Sequence, residues 1–436
     1  MIQKDKLKLY NSTPPSINKL ELIKLASACK ITLTNKIKLF YMVADNVDLI
    51  KLTIIFKDNS IWSKEGALNS LAVSKLIKEG SENYSSDKLK SLIEINGAKL
   101  FTSSNSDFIT IDLYVIKENF IKTLSILEEI ITRPIFPQSE IDKFILEAKN
   151  KLLVNLQKNQ YLAGQEFKKG LFGDNSKLGY SIKEEDFNNI DRNKLVDSYQ
   201  QNFQAANCVV IATGNISESD MIELKAMLGA LKFNSSSSNI KINEQQEGLI
   251  ATGNYKKHFQ GVNKLQSTII IGKALPNRNH PDYIKLQILN TVLGGYFGSY
   301  LMKNLREDKG YTYGVNSAIT SNLTTGIFYI NTEVNVKNYE SALQEIYKEI
   351  DNISSKYISG ETINIIKNYS IGEFRSSIKN IFSYSNLIQN TLFYNVDYPD
   401  YYEQYLNELT SINKEELKEL AIKYLKKDFC EVVVGI

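Results

Sequence analysis

The chain repeats itself, and no other feature limits its fold as tightly. In the first half Ile109, Ile111, Leu113 and Val115 alternate with Thr110, Asp112 and Tyr114, the period of a strand with one buried face. A helix follows with Phe120, Leu124, Leu127 and Ile131 on one side. In the second half Phe328, Ile330, Thr332 and Val334 alternate with Tyr329, Asn331 and Glu333, and Tyr339, Leu343, Ile346 and Ile350 line the next helix. Both helices carry their stripe at i, i+4, i+7 and i+11. The opening strands LTIIF (Leu52–Phe56) and STIII (Ser267–Ile271) correspond. So do the endings: Ile190–Asn215 and Ile412–Ile436 each run a helix into a cysteine-containing strand that stops near a glycine. A duplicated α+β unit is the economical reading, each copy a mostly antiparallel sheet with helices packed on one face.

The one long stretch of linker composition, NSSSSNIKINEQQEG (Asn234–Gly248), separates the copies. We therefore expect a first domain at 1–233, a linker at 234–248 and a second domain at 249–436. A chain of 436 residues is too long for one compact core, which agrees with this division. Fifty-two bases against 49 acids leave a net charge of +3, which points to neither nucleic acid nor an anionic membrane as partner. The apolar runs are strand-length, short of a bilayer span, and MIQKDKLKLYNSTPP lacks the apolar core of a secretory signal. Three scattered cysteines (Cys29, Cys208 and Cys430) argue against a disulfide framework and predict a cytoplasmic protein.

The most specific stretch is LNTVLGGYFGSYLMKNLREDKGYTYGV, Leu289–Val315. Arg306 follows Leu301 and Leu305 at a helix end, and Glu307, Asp308, Lys309 and Gly310 make a turn, the glycine free to take a positive φ. Beyond it we expect a strand with Tyr311 and Tyr313 on one face. LGGYFG (Leu293–Gly298) is not G-x-G-x-x-G and lacks the lysine and hydroxyl of a phosphate loop, so Gly294 and Gly295 read as a break between two helices. YYEQY (Tyr401–Tyr405) reads as a helix start with aromatic packing. Trp62 reads as a core or interface residue, and the basic run Lys4–Lys8 as a solvated face.

With KEGSENYS (Lys78–Ser85), IEINGAKL (Ile93–Leu100), SNSDF (Ser104–Phe108) and TRPIFP (Thr132–Pro137), this stretch makes nearly the whole chain resemble the pitrilysin-type zinc peptidases, among them insulin-degrading enzyme and the mitochondrial processing peptidase. The resemblance implies two duplicated domains joined by a linker into a clamp around a peptide. It also implies a zinc motif, H-x-x-E-H, whose two imidazoles bind the metal and whose glutamate activates its water. Counted back from KEGS, that motif falls on Leu71, Ala72, Val73, Ser74 and Lys75. Leucine and lysine replace the histidines, and serine replaces the base. The third ligand, a glutamate, is expected near Asn150–Asn155, where NKLLVN has no acid, although Glu147 is close. The two histidines of the chain, His258 and His280, have no partner at helical spacing and read as surface or loop residues.

What remains of the family pattern is an arginine and a tyrosine that the resemblance associates with gripping the substrate backbone opposite the zinc; they match Arg306 and Tyr313. The family often has another arginine after GS, where this chain has Tyr300. The implied protein is the non-catalytic, substrate-binding subunit of a heterodimeric zinc peptidase. It holds no cofactor itself, finds its zinc on a homologous partner, binds a peptide, and leaves a homodimer open when alone. A degenerate scaffold of the same fold is the alternative. An autonomous enzyme of another class has no Ser/His or Cys/His constellation to support it.

Overall fold

A computed structural model of the protein describes residues 24–58, 64–231, 254–394 and 396–436. The expected linker at 234–248, Trp62 and Lys4–Lys8 lie outside these residues.

The first half builds one sheet from β1 (Cys29–Thr32), β2 (Lys38–Val43), β3 (Leu49–Lys57), β4 (Lys99–Ser104), β5 (Phe108–Ile116) and β6 (Cys208–Gly214), in the order β1-β2-β6-β3-β5-β4. The second half builds another from β7 (Lys256–Phe259), β8 (Gln266–Leu275), β9 (Val315–Ser321), β10 (Gly326–Asn335) and β11 (Cys430–Val434), in the order β7-β11-β8-β10-β9. Without the extra edge strand β1 the orders coincide strand for strand. So do the directions: β2 with β6, and β7 with β11, are the parallel pairs, and every other pairing is antiparallel. The duplication read from the sequence is thus a duplication of topology, and the fold is α+β as expected.

The predicted stripes are the buried ones. Ile109, Ile111, Leu113 and Val115 enter the first-half core with Phe120, Leu124, Leu127 and Ile131 of the helix Phe120–Thr132. Phe328, Ile330 and Val334 do the same in the second half with Ile346 and Ile350 of the helix Tyr339–Ser355.

The expectation of helices on one face of each sheet needs correction. The helix Asn159–Phe172, from the first half, lies on the second sheet: Ala163, Phe167 and Leu171 pack with Ile270, Val432 and Val434. Gly170 admits this approach, since a Cβ there would stand 2.4 Å from Tyr255 Cδ1 and 2.8 Å from Cys430 Sγ. In return the second half sends Leu387, Ile388, Phe393 and Tyr398 onto the first sheet, against Phe40, Met42, Ile55, Phe108, Val209 and Ile211. Phe108 and Phe393 stack at 4.3 Å between centroids. Each sheet is sandwiched between its own helices and a borrowed one. The sequence carries the cause in LTIIF, STIII and CEVVV, runs apolar on both faces rather than alternating.

Candidate functional site

The positions to which the resemblance assigns the metal motif carry groups that do not fit a cation. Leu71, Ser74 and Lys75 lie on the helix Lys64–Leu76, which packs against the helix Gln138–Leu156 carrying the expected third-ligand window. Leu71 turns to a cleft. Ser74 is buried and spends its hydroxyl on Leu71 O at 2.7 Å, with Ser104 Oγ at 3.4 Å. Lys75 Nζ donates to Thr102 O of β4 at 3.2 Å. Burial, then Lys78 and Lys151, lowers the Lys75 pKa. Lys151 belongs to the window Asn150–Asn155, so a base stands where the resemblance calls for a carboxylate. Glu147 is exposed. Among the described residues no cluster of three or more His, Cys, Asp or Glu side chains is arranged to hold a metal.

The histidines are far apart in role. His258 lies on β7, not in a loop, with Nε2 2.8 Å from Glu431 Oε1; burial pushes the Glu431 carboxyl up, but Tyr347, His258 and Lys256 outweigh it and hold the pKa below the ordinary value. His280 accepts from Asp282 N at 3.0 Å through Nδ1, inside a turn.

The second-half segment departs from helical regularity where its chemistry lies. After the helix Tyr283–Asn290 the backbone widens into π-helical turns at Thr291–Gly295 and again at Met302–Asp308, an arrangement frequent at functional sites. A Cβ on Gly294 would stand 2.5 Å from Ser317 Oγ and 2.8 Å from Ser317 N, so this glycine permits close approach of β9, as a helix break should. Arg306, half-buried, lies in the second π-helical segment with its guanidinium carbon 4.4 Å from the centre of the Phe297 ring. It makes no ion pair with Glu307 or Asp308 among the described residues. Gly310 takes φ +64°, as the turn demands.

The strand expected at Tyr311–Tyr313 does not form; β9 begins at Val315. Thr312 interrupts it. Its hydroxyl donates to Glu333 O at 2.7 Å and accepts from Gly314 N at 3.1 Å, so a side chain takes the place of the backbone ladder. Tyr311 packs partly into the core, whereas Tyr313 stands 97% exposed. No hydrogen bond or ring contact joins Arg306 to Tyr313 among the described residues. Tyr300, in place of the family's arginine, is half-buried against the core.

A cleft of about 620 Å³ separates the halves, with the β4–β5 hairpin on one side and the β9–β10 hairpin on the other. Asp107 bridges them by accepting from Leu323 N at 3.1 Å. Behind the rim Lys177 Nζ meets Asp58 at 2.7 Å and Ser106 O at 3.1 Å, the two side chains 6% and 0% exposed. Arg278 lines the same cleft with its guanidinium carbon 5.5–5.8 Å from the ring centres of Tyr283, Tyr394 and Tyr401. The aromatic packing expected at YYEQY is therefore real, and part of it cages an arginine that sequence reading passed over; a basic residue beside scattered tyrosines gives no periodic signal. Leu71 lines this cleft; Arg306 and Tyr313 do not.

Fold and site together define a duplicated, peptidase-like α+β protein whose metal positions hold aliphatic, hydroxyl and amine groups. Residues 189–369 match the family described as the Peptidase M16 inactive domain, a span that includes Arg306 and Tyr313 but not positions 71–75. Over that span the chain is similar to the M16 peptidases, and in particular to their inactive domain. It is 24% identical to "Non-peptidase homolog YmxG" of Helicobacter pylori over 81% of either chain, and 23% identical to "Uncharacterized zinc protease YmxG" of Bacillus subtilis over 61% of this chain and 63% of that one. In structure it is similar to a peptidase M16 inactive domain from Pseudomonas fluorescens, with a TM-score of 0.82 and 19% identity over 94% of this chain and 98% of that one. It is also similar to a protease from Helicobacter pylori, with a TM-score of 0.81 and 15% identity over 94% and 99%. These structural likenesses speak for the fold.

Proposed function

We propose that the chain is the substrate-binding, non-catalytic subunit of a heterodimeric zinc peptidase, acting in the cytoplasm beside a homologous zinc-bearing partner. The observation that carries the reading is a pair of unspent donors. Arg306 is held on an aromatic face with no carboxylate in reach despite acids at the next two positions, and Tyr313 extends into solvent with its phenol free of packing. A guanidinium and a phenol can each donate to a peptide carbonyl, and such bonds strengthen as the oxygen gains charge in the transition state. The partner would supply zinc and its activated water. This chain would hold the peptide in register.

The test is reconstitution. The chain mixed with a zinc-bearing homologue should cleave peptide, and Arg306→Ala or Tyr313→Phe should lower kcat/KM roughly a hundredfold. Variants as active as wild type would overturn the reading. They would favour a scaffold role, which the absence of contact between Arg306 and Tyr313 also suits.

A further inference from the structure

We propose that the cleft between the two halves is a receptor for a carboxylate carried by a peptide, bound by Arg278 and Lys168. The inference rests on reading the chain as peptide-binding but uses a different surface from Arg306 and Tyr313, neither of which lines this cleft.

Three cations line the cleft: Lys168, Lys177 and Arg278. Lys177 is already neutralised by Asp58 at 2.7 Å. Lys168 is exposed and has no carboxylate within ion-pair distance among the described residues. Arg278 donates through Nη1 to Asn390 O, while its Nε, buried, meets no acceptor. The three tyrosine rings around it fix the guanidinium plane, so a ligand would lose little freedom in engaging it. The acid in the cleft, Asp107, is engaged across it, its Oδ2 accepting from Leu323 N at 3.1 Å. The result is a space of about 620 Å³, room for a few residues of peptide, with a guanidinium and an exposed ammonium on its wall. The amides of Asn105, Asn322, Gln389 and Asn390 offer donors and acceptors to a main chain. A purely structural Arg278, tying its loop to the helix Ser383–Thr391, needs neither Lys168 nor the open volume.

The experiment is calorimetric titration of the full chain, without partner or zinc, with three capped tetra-alanine probes. One has a free C-terminal acid, one a C-terminal amide, and one an amidated end with an internal glutamate. At least one acid-bearing peptide should bind tenfold or more tighter than the neutral one, and the two arms tell a terminal from a side-chain carboxylate. Lys168→Glu, a surface change that leaves the fold intact, should remove the preference. Arg278→Lys, keeping charge but losing the fork, should weaken acid binding about tenfold. Arg306→Ala should bind as wild type, so failure here is separable from failure of the proposed function. Equal affinity for acid and amide, no binding of any probe, an unaltered preference in Lys168→Glu, or loss of binding in Arg306→Ala would each overturn the assignment.

Discussion

Lys75 and Lys151 show at the residue scale why this chain cannot simply be one histidine short of a peptidase. Each lies near a position that should contribute to binding a dication, and each brings a positive charge instead; their proximity is what helps to lower the Lys75 pKa. Restoring the motif alone with Leu71→His, Ser74→Glu and Lys75→His should therefore give at most weak zinc binding. Adding Lys151→Glu should raise affinity by at least two orders of magnitude, because it exchanges a repelling charge for a ligand. Equilibrium dialysis with metal analysis distinguishes the two variants, and equal zinc content would show that Lys151 does not face the site. The loss of the metal groups was legible from the sequence once the family resemblance placed the motif on residues 71–75. The charge that Lys151 brings near Lys75 was not, because it arises from the packing of two helices that no spacing in the sequence connects. Phe297 under Arg306 was likewise invisible: the contact crosses a helix break, and no period connects the two residues.

At the scale of elements, the sequence stretches that carry the family resemblance prove to be each other's packing partners. KEGSENYS and TRPIFP dock: Ser81 pairs with Pro134, Ile135 N donates to Gly80 O at 3.2 Å, and a Cβ on Gly80 would stand 2.8 Å from Pro137 Cγ at φ +143°. Glu129 fastens the joint from the helix Phe120–Thr132, accepting from Asn83 N and Asn83 Nδ2 at 3.1 Å each and pairing with Arg133 at 3.2 Å. Burial pushes its pKa up, but Ser81, Asn83 and Arg133 together hold it below the ordinary glutamate value of 4.5. A carboxyl whose folded pKa is depressed stabilises the fold above its unfolded pKa and loses that contribution as pH falls through the folded one. Wild type should thus lose Tm on acidification below about pH 4.5 more steeply than Glu129→Gln, which starts lower at neutral pH, by roughly 1–3 kcal/mol for the lost charge-assisted bonds. Thermal melts by circular dichroism across pH 3–7 check it; parallel curves would remove Glu129 from the account. The positive φ at Gly310 and the break at Gly294 could be read from glycine chemistry. The failed strand at Tyr311–Tyr313 could not, because alternation is blind to a threonine hydroxyl that captures the neighbouring backbone.

At the scale of the whole molecule the two halves are two topological copies but not two independent bodies. Each sheet would expose an apolar face if its borrowed helix were removed: Ile270, Val432 and Val434 in the second, and Phe40, Ile55 and Val209 in the first. The start of the exchanged helix is locked by Asn159, 5% exposed, whose Nδ2 donates to Asn263 O and Gln266 O at 2.8 Å each while Oδ1 accepts from Asn263 N at 3.2 Å. The linker composition at Asn234–Gly248 suggests a place to cut; the exchange predicts what cutting there does. Residues 1–233 and 249–436 produced separately should each aggregate or populate a loosely packed state, and should recover dispersed amide spectra only when refolded together. The intact chain should unfold in urea as one transition rather than two. Asn159→Ala should lower its stability by roughly 1–3 kcal/mol, because three backbone groups at the joint lose their side-chain partner at once. Gly170→Val should cost at least as much, since its side chain would collide with Tyr255 and Cys430 and lift the helix from the sheet. A fragment 249–436 that is soluble, monomeric and cooperatively folded alone would show that the second sheet does not need the first half's helix, and the two halves would then have to be treated as domains that merely touch.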